Sequence, residues 1–246
     1  MDKKTVLITG ASRGLGASIA RVFAKHHHNI IINYKNSEEE ALKLAEELKQ
    51  YNIEVLPIKA NITKEEEIKN MVQKSINKFK KIDVLINNAG IAIDTTYEDK
   101  TKENFMEILD TNLIGPFLVS KYVGEHMLKE EQGNIINISS TNGIDTYYEY
   151  SLDYDASKAG LISLTHNLAT HYAPYINVNA VAPGWINTEM NKELDEAYIK
   201  EEESKILLNR FADPVEIANV VYFLSTEEAK YINNEVIRVD GGTQHA

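Results

Sequence analysis

No cysteine occurs anywhere in this sequence, which excludes disulfide bonds, thiolate metal sites and a cysteine nucleophile. Long hydrophobic runs are also missing. The apolar run that follows Lys4 ends at Gly10, and no later run is long enough to cross a membrane. We therefore expect neither a signal peptide nor a membrane span, and a cytoplasmic location.

Positive charge is scarce. The chain has 26 lysines and arginines against 37 acidic residues, a net charge of −11, which argues against a nucleic-acid partner and against an anionic membrane surface. The consecutive histidines His26, His27 and His28 point in different directions on a helix, so no metal site is expected. With 43% hydrophobic residues in a chain of 246, a sizeable core is expected, in one large domain or two small ones.

Short apolar segments rich in β-branched residues alternate with amphipathic stretches of ten or more residues. Strands are expected at 5–9, 29–33, 54–60, 82–86, 135–138, 176–181 and 235–239. The alternation predicts an α/β fold of Rossmann type, a doubly wound parallel sheet of about seven strands with helices on both faces, in a single domain over 1–246. Pro57 places the third strand at an edge of the sheet. A long helix over 102–129 is expected to bend at Pro116.

Four polar or glycine-rich segments each follow a predicted strand, at 10–16, 87–90, 139–140 and 183–188. Because the carboxyl ends of parallel strands share one edge of the sheet, these segments are expected to converge on a binding site there. The first segment turns into a helix, whose amino end would suit a pyrophosphate. The acidic stretch after 188 has a poor apolar stripe, which favours a flexible flap over the site at about 187–208.

Tyr154 and Lys158 lie four residues apart, on one face of a predicted helix. No other tyrosine of the chain has a lysine at this spacing. A fixed ammonium near a phenol favours the phenolate, so such a phenol can act as a general acid or base near neutral pH. An isolated pair of this kind is more often a polar surface pair, and its interpretation depends on the rest of the chain.

Six motifs in order carry a resemblance that covers nearly the whole chain. They are Thr9-Gly10-x-x-x-Gly14-x-Gly16, Asn87-Asn88-Ala89-Gly90, Asn112, Ile138-Ser139-Ser140, Tyr154-x-x-x-Lys158 and Pro183-Gly184-x-Ile186-x-Thr188. In these motifs the chain resembles the short-chain dehydrogenase/reductase family. In the Thr-Gly-Ala-Ser-Arg-Gly-Leu-Gly turn and at 159–162 it is similar to the bacterial 3-oxoacyl-[acyl-carrier-protein] reductases.

The resemblance implies four catalytic residues. Tyr154 would exchange a proton with the substrate oxygen, and Lys158 would lower the pKa of that phenol and bind the nicotinamide ribose. Ser140, rather than Ser139, would hold the substrate oxygen, and Asn112 would bind a water that leads protons to Lys158. The implied activity is NADP(H)-dependent reduction of a carbonyl to a secondary alcohol. Two alternatives stay open: another small ketone or alcohol substrate (a sugar, diketone or steroid), and a non-catalytic dinucleotide-binding scaffold.

The coenzyme is implied to be NADP(H). No acid follows the second strand before Glu38, while Arg13 and Lys35 could bind a 2′-phosphate. Asn61 stands where many relatives have an aspartate that faces adenine, and its amide oxygen could still accept from the adenine amino group. The implied coenzyme-binding residues are Gly10, Ser12, Arg13, Gly14, Leu15, Gly16, Asn33, Tyr34, Lys35, Asn61, Ile62, Asn88, Ala89, Gly90, Tyr154, Lys158, Pro183, Gly184, Ile186 and Thr188.

Protein partners are expected from the resemblance and from the charge of the chain. The resemblance implies a homotetramer built on the helices at 102–129 and 154–172 and on the last strand. An acyl-carrier-protein is strongly acidic, whereas Lys129 is followed by two glutamates here, so this partner is doubtful. The unusual aromatic segment 147–150 could narrow the substrate pocket, receive a ring or sugar, or form an oligomer contact.

Overall fold

The computed structural model describes residues 3–188 and 195–243, and within them the strands form a seven-stranded sheet. The strands are β1 Thr5–Ile8, β2 Asn29–Tyr34, β3 Val55–Lys59, β4 Val84–Asn87, β5 Gly133–Ile138, β6 Ile176–Pro183 and β7 Val236–Val239. All adjacent strands pair in parallel, in the order β3-β2-β1-β4-β5-β6-β7. The predicted doubly wound parallel sheet is therefore confirmed, and Pro57 lies in the edge strand β3, as expected.

Helices cover both faces of the sheet, and each face buries its own apolar cluster. The helices are α1 Gly14–Lys25, α2 Glu38–Leu48, α3 Glu65–Phe79, α4 Lys102–Leu109, α5 Gly115–Lys129, α6 Leu152–Tyr172, α7 Glu196–Ser204 and α8 Pro214–Leu224. One cluster contains side chains of α1, α2 and α8, and the other contains side chains of α3, α5 and α6. None of the helices within 3–188 and 195–243 has the length and apolar character needed to span a membrane.

The long helix expected over 102–129 is interrupted earlier than predicted. A π-helical turn, Asp110–Ile114, separates α4 from α5, and Pro116 lies in the first turn of α5. A proline fits there because the amide groups of a first turn need no partner within the helix. The bend at Pro116 stays a prediction. The wide turn holds Asn112, and such turns are frequent at functional sites.

The predicted flap is only partly described. Helix α7 lies within 187–208, and its Asp195 cap accepts a hydrogen bond from the Ala197 amide at 2.8 Å. Residues 189–194 lie outside the described residues. The flexibility of this segment stays a prediction.

Candidate active site

The glycine turn between β1 and α1 is shaped for close backbone packing. Gly10 and Gly14 have φ angles of 61° and 56°, which favour glycine. A Cβ at Gly16 would lie 2.5 Å from the carbonyl oxygen of Gly10, whereas a Cβ at Gly14 would meet nothing within 4 Å. Space therefore remains at the amino end of α1, where backbone N–H groups can receive an anion.

Side chains from neighbouring strands hold this turn in place. The hydroxyl of Thr9 accepts hydrogen bonds from the backbone amides of Asn88 and Ala89, both at 3.0 Å. The side-chain amide of Asn88 donates to the carbonyl oxygens of Thr9 and Gly10 at 2.9 and 3.1 Å, and Asn33 Oδ1 accepts from the Gly10 amide at 3.3 Å. Asn33 is buried, so it holds the turn from the protein interior and does not face the space at the amino end of α1.

Asn112 joins the segment after β4 to α6. Its Oδ1 accepts from the backbone amide of Ile91 at 2.8 Å, and its Nδ2 donates to the carbonyl of Ile91 at 2.9 Å and to Ser157 Oγ at 3.1 Å. A Cβ at Gly90 would lie 3.3 Å from Asn112 Oδ1 and 3.5 Å from Lys158 Nζ. Asn112 and Lys158 therefore meet at Gly90.

Tyr154 and Ser140 meet at the end of β5. The Ser140 hydroxyl lies close enough to the Tyr154 phenol to influence its pKa and donates to Asn142 Oδ1 at 3.1 Å, whereas the hydroxyl of Ser139 donates to the carbonyl oxygen of Lys158 at 2.9 Å. Lys158 Nζ donates to the carbonyl oxygen of Ile138 at 2.8 Å and lies 5.4 Å from the centre of the Tyr154 ring. The four residues expected to be catalytic are thus brought together, and Ser140 is the serine that contacts the phenol.

The segment after β6 completes this edge of the sheet. The amide of Gly184 donates to the carbonyl oxygen of Val239 at 3.1 Å, and that of Thr188 to the carbonyl oxygen of Ile186 at 2.8 Å. Pro183 is the last residue of β6. The segment therefore begins at the carboxyl end of a strand, as do the glycine turn, Gly90 and Ser140.

Comparison with known proteins identifies the family. The family model described as enoyl-(acyl carrier protein) reductase matches residues 10–244. The chain is 39% identical over 240 residues to the 3-oxoacyl-[acyl-carrier-protein] reductase FabG of Staphylococcus epidermidis, covering 97% of this chain and 98% of that protein. The chain belongs to the short-chain dehydrogenase/reductase family.

Solved structures of other family members share the whole fold. A dehydrogenase/reductase from Sinorhizobium meliloti has a TM-score of 0.93 and 28% identity, covering 100% of this chain and 96% of that one. The acetoin dehydrogenase YohF of Salmonella typhimurium has a TM-score of 0.89 and 30% identity, covering 98% and 96%. As a short-chain dehydrogenase/reductase, the protein is an oxidoreductase that acts on CH–OH or carbonyl groups with a nicotinamide dinucleotide.

In this short-chain dehydrogenase/reductase, the surroundings of Tyr154 and Lys158 shift the pKa of both side chains. Burial raises the pKa of the Tyr154 phenol, the neighbouring Ser140 hydroxyl opposes that rise, and the carboxylates of Asp155 and Asp94 add to it. Burial lowers the pKa of Lys158 to about 8. The expected lowering of the phenol's pKa by Lys158 is therefore not found: the pKa is raised, and Lys158, whose ammonium faces the ring and the Ile138 carbonyl, is not among the groups that shift it.

Some residues expected to bind the coenzyme have their side chains engaged elsewhere. Tyr34 and Ile62 lie in the apolar clusters, and Leu15 packs against one of them. The Oδ1 of Asn61 accepts from both the amide and the hydroxyl of Thr63 at 3.0 Å. The predicted acceptor for the adenine amino group is therefore already used.

Arg13 and Lys35 remain available to a ligand. Both are exposed, as is Gly14, while Ser12 is half-buried within the turn. Neither cation takes part in an ion pair within the described ranges. The first acid in the chain after β2 is Glu38, which is exposed.

Sequence reasoning missed Ser157. Its hydroxyl donates to the Tyr154 carbonyl oxygen at 2.7 Å and accepts from Asn112, so it links two of the four site residues. A serine three residues after Tyr154 lies one helical turn further along and can return a hydrogen bond to that carbonyl. That spacing was the available signal.

Proposed function

We propose that this protein reduces the keto group of a 3-oxoacyl thioester to a secondary alcohol with NADPH, using Asn112, Ser140, Tyr154 and Lys158. The observation that carries the proposal is the meeting of the Tyr154 phenol with the Ser140 hydroxyl and the Lys158 ammonium, at the sheet edge where the glycine turn lies. The similar chains of 3-oxoacyl-[acyl-carrier-protein] reductases support this substrate class.

Ser140, Tyr154 and Lys158 can together bind and protonate the oxygen of a carbonyl that is being reduced. The hydroxyls of Ser140 and Tyr154 would both donate to the substrate oxygen and hold the carbonyl in place. Because burial raises the pKa of Tyr154, the phenol keeps its proton at neutral pH and can give it to the developing alkoxide. Lys158, with a pKa of about 8, is mostly protonated near neutral pH and would return a proton. The bound nicotinamide would supply the hydride.

The glycine turn and the free cations fit a phosphorylated dinucleotide. The space at the amino end of α1 would receive the pyrophosphate, and Arg13 and Lys35 would bind the 2′-phosphate. No acid follows β2 before Glu38, and Lys35 stands directly after the strand, where an acid would be needed to accept a hydrogen bond from a ribose 2′-hydroxyl. These observations support NADP(H) over NAD(H).

A second substrate class is favoured by the aromatic residues that follow Ser140. Tyr148 lies near Tyr198 of α7, and the Tyr198 ring lies edge-on to Trp185, with ring centres 6.2 Å apart. These rings join the loop before α6 to the segment after β6, and such a surface would suit a small or cyclic ketone. Acetoin dehydrogenase is among the structurally similar proteins.

The decisive experiment compares the wild-type protein with Tyr154→Phe. NADPH oxidation would be followed with acetoacetyl thioesters of an acyl-carrier-protein and of coenzyme A, and with acetoin, diketones and sugars. We expect the variant to lose about 100-fold or more in kcat, since it lacks the proton donor, while NADPH affinity stays unchanged. Unchanged turnover in Tyr154→Phe would refute the proposed role, and a preference for free ketones over thioesters would favour the second class.

A further inference from the structure

A buried ion pair lies directly beside Tyr154. Lys100 Nζ is 3.1 Å from Asp153 Oδ1, and the two side chains are 4% and 0% exposed. Lysine and aspartate are almost never buried this deeply unless they are paired. We propose that Lys100 and Asp153 are positioning residues that hold Tyr154 in place for the reaction of the proposed function, on which this inference rests.

The Lys100 ammonium connects three segments around the phenol. Besides Asp153, it donates to the carbonyl oxygen of Ile93 at 2.8 Å and to that of Tyr150 at 3.2 Å. An ammonium has three hydrogens, and all three are used. The loop after β4, the turn before α6 and α6 itself are thereby tied to a single atom. The amide of Thr95 also donates to the Tyr150 carbonyl at 3.2 Å, which reinforces the same junction.

Asp153 transmits this arrangement to the phenol. It immediately precedes Tyr154, and its Oδ1 accepts a hydrogen bond from the Tyr154 backbone amide at 2.9 Å. The same oxygen is paired with Lys100. Its other oxygen, Oδ2, is buried without a hydrogen-bond partner in the described part of the chain. The carboxylate therefore depends on Lys100, together with the amino end of α6, for compensation of its charge.

Loss of the ammonium would disturb the turn that carries Tyr154. An unpaired carboxylate in an apolar interior is strongly disfavoured, so Asp153 would have to take up a proton or turn towards water. Either change alters the oxygen that holds the Tyr154 amide. Small misplacements of a proton donor are costly, since an error of about 1 Å can reduce the rate about 100-fold.

Four variants test this role. Lys100→Met removes the charge, Asp153→Asn keeps an acceptor oxygen for the Tyr154 amide, and the double variant removes both charges. Lys102→Met is the control, because Lys102 is exposed two residues away. With NADPH and acetoacetyl-coenzyme A, we expect Lys100→Met to lower kcat at least about tenfold. NADPH affinity, measured by coenzyme fluorescence, should stay within about twofold, and the double variant should recover most of kcat.

Hydrogen exchange gives a readout that is independent of turnover. In Lys100→Met, the backbone amides of peptides covering 91–101 and 149–156 should exchange faster than in the wild-type protein. In Lys102→Met their exchange should stay unchanged. In the double variant their protection should return to the wild-type level. The proposal is overturned if Lys100→Met keeps its kcat and protection, or if the double variant is no better than Lys100→Met. If Lys100→Met does not fold, a folded double variant with near wild-type kcat supports the proposal, and one that has lost kcat overturns it. A wild-type protein without reductase activity would refute the proposed function, whereas the exchange experiment would still decide the role of the pair.

Discussion

Replacing Lys158 by methionine should stabilise the folded protein while removing its activity. Burial lowers the pKa of Lys158 from 10.5 to about 8, and each pKa unit corresponds to about 1.4 kcal/mol. Holding this side chain in the folded protein at about pH 7 therefore costs about 3 kcal/mol relative to an unshifted lysine. Methionine has similar length and no charge, but the Ile138 carbonyl would lose its partner at a cost of about 1 kcal/mol. The expected net gain is about 2 kcal/mol.

The sign of the pH dependence makes this prediction specific. A base with a lowered pKa binds fewer protons in the folded protein than in the unfolded chain, so wild-type stability rises with pH between about 8 and 10.5. The advantage of Lys158→Met should consequently shrink by about 2 kcal/mol between about pH 7 and about pH 9.5.

Urea unfolding at matched protein concentration measures this difference, with Lys102→Met as the control for removal of an exposed lysine. The same Lys158→Met sample should show kcat reduced about 100-fold or more, since proton return to Tyr154 is lost. A variant less stable than wild type at neutral pH, or an advantage that does not change with pH, would refute the reasoning.

Two further predictions concern coenzyme choice and assembly. Arg13→Ala should raise the KM for NADPH much more than that for NADH, because only NADPH carries the 2′-phosphate; equal effects would contradict the contact, and Lys25→Ala on the same helix is the control. Phe117, 42% exposed on α5, belongs to the helices from which we propose a homotetramer. Phe117→Glu should give a smaller species in sedimentation, whereas Leu42→Glu on α2 should not, and an unchanged mass would exclude this interface.

The sheet could be predicted from sequence because its determinants are local. Apolar β-branched segments such as Ile30-Ile31-Ile32 are fully buried, and strands of this kind between long helices have few other arrangements. Pro57 cannot donate to a neighbouring strand, so its place in the edge strand followed from its chemistry alone. The convergence of Gly10, Gly90 and Ser140 on one edge followed from the parallel order.

Features that depend on tertiary contacts could not be predicted. The π-helical turn at Asp110–Ile114 places Asn112 against Ile91 and Ser157, which are 21 and 45 residues away, and helical periodicity contains no record of those bonds. Desolvation of Tyr154 is likewise a property of the packed site. A sequence shows that a cation lies one turn away, but not that burial raises the pKa of the phenol.

Ser139 and Ser140 are adjacent, and yet one hydroxyl binds the backbone of α6 while the other reaches the phenol. Successive side chains of an extended chain project to opposite sides, and the amide of Ser139 still pairs with the Val181 carbonyl at 2.8 Å. Sliding β5 by one position along β6 would exchange the two hydroxyls. The alignment of β5 with β6 therefore determines which serine hydroxyl can contact a substrate. Core substitutions far from any ligand would change the reaction if they altered that alignment.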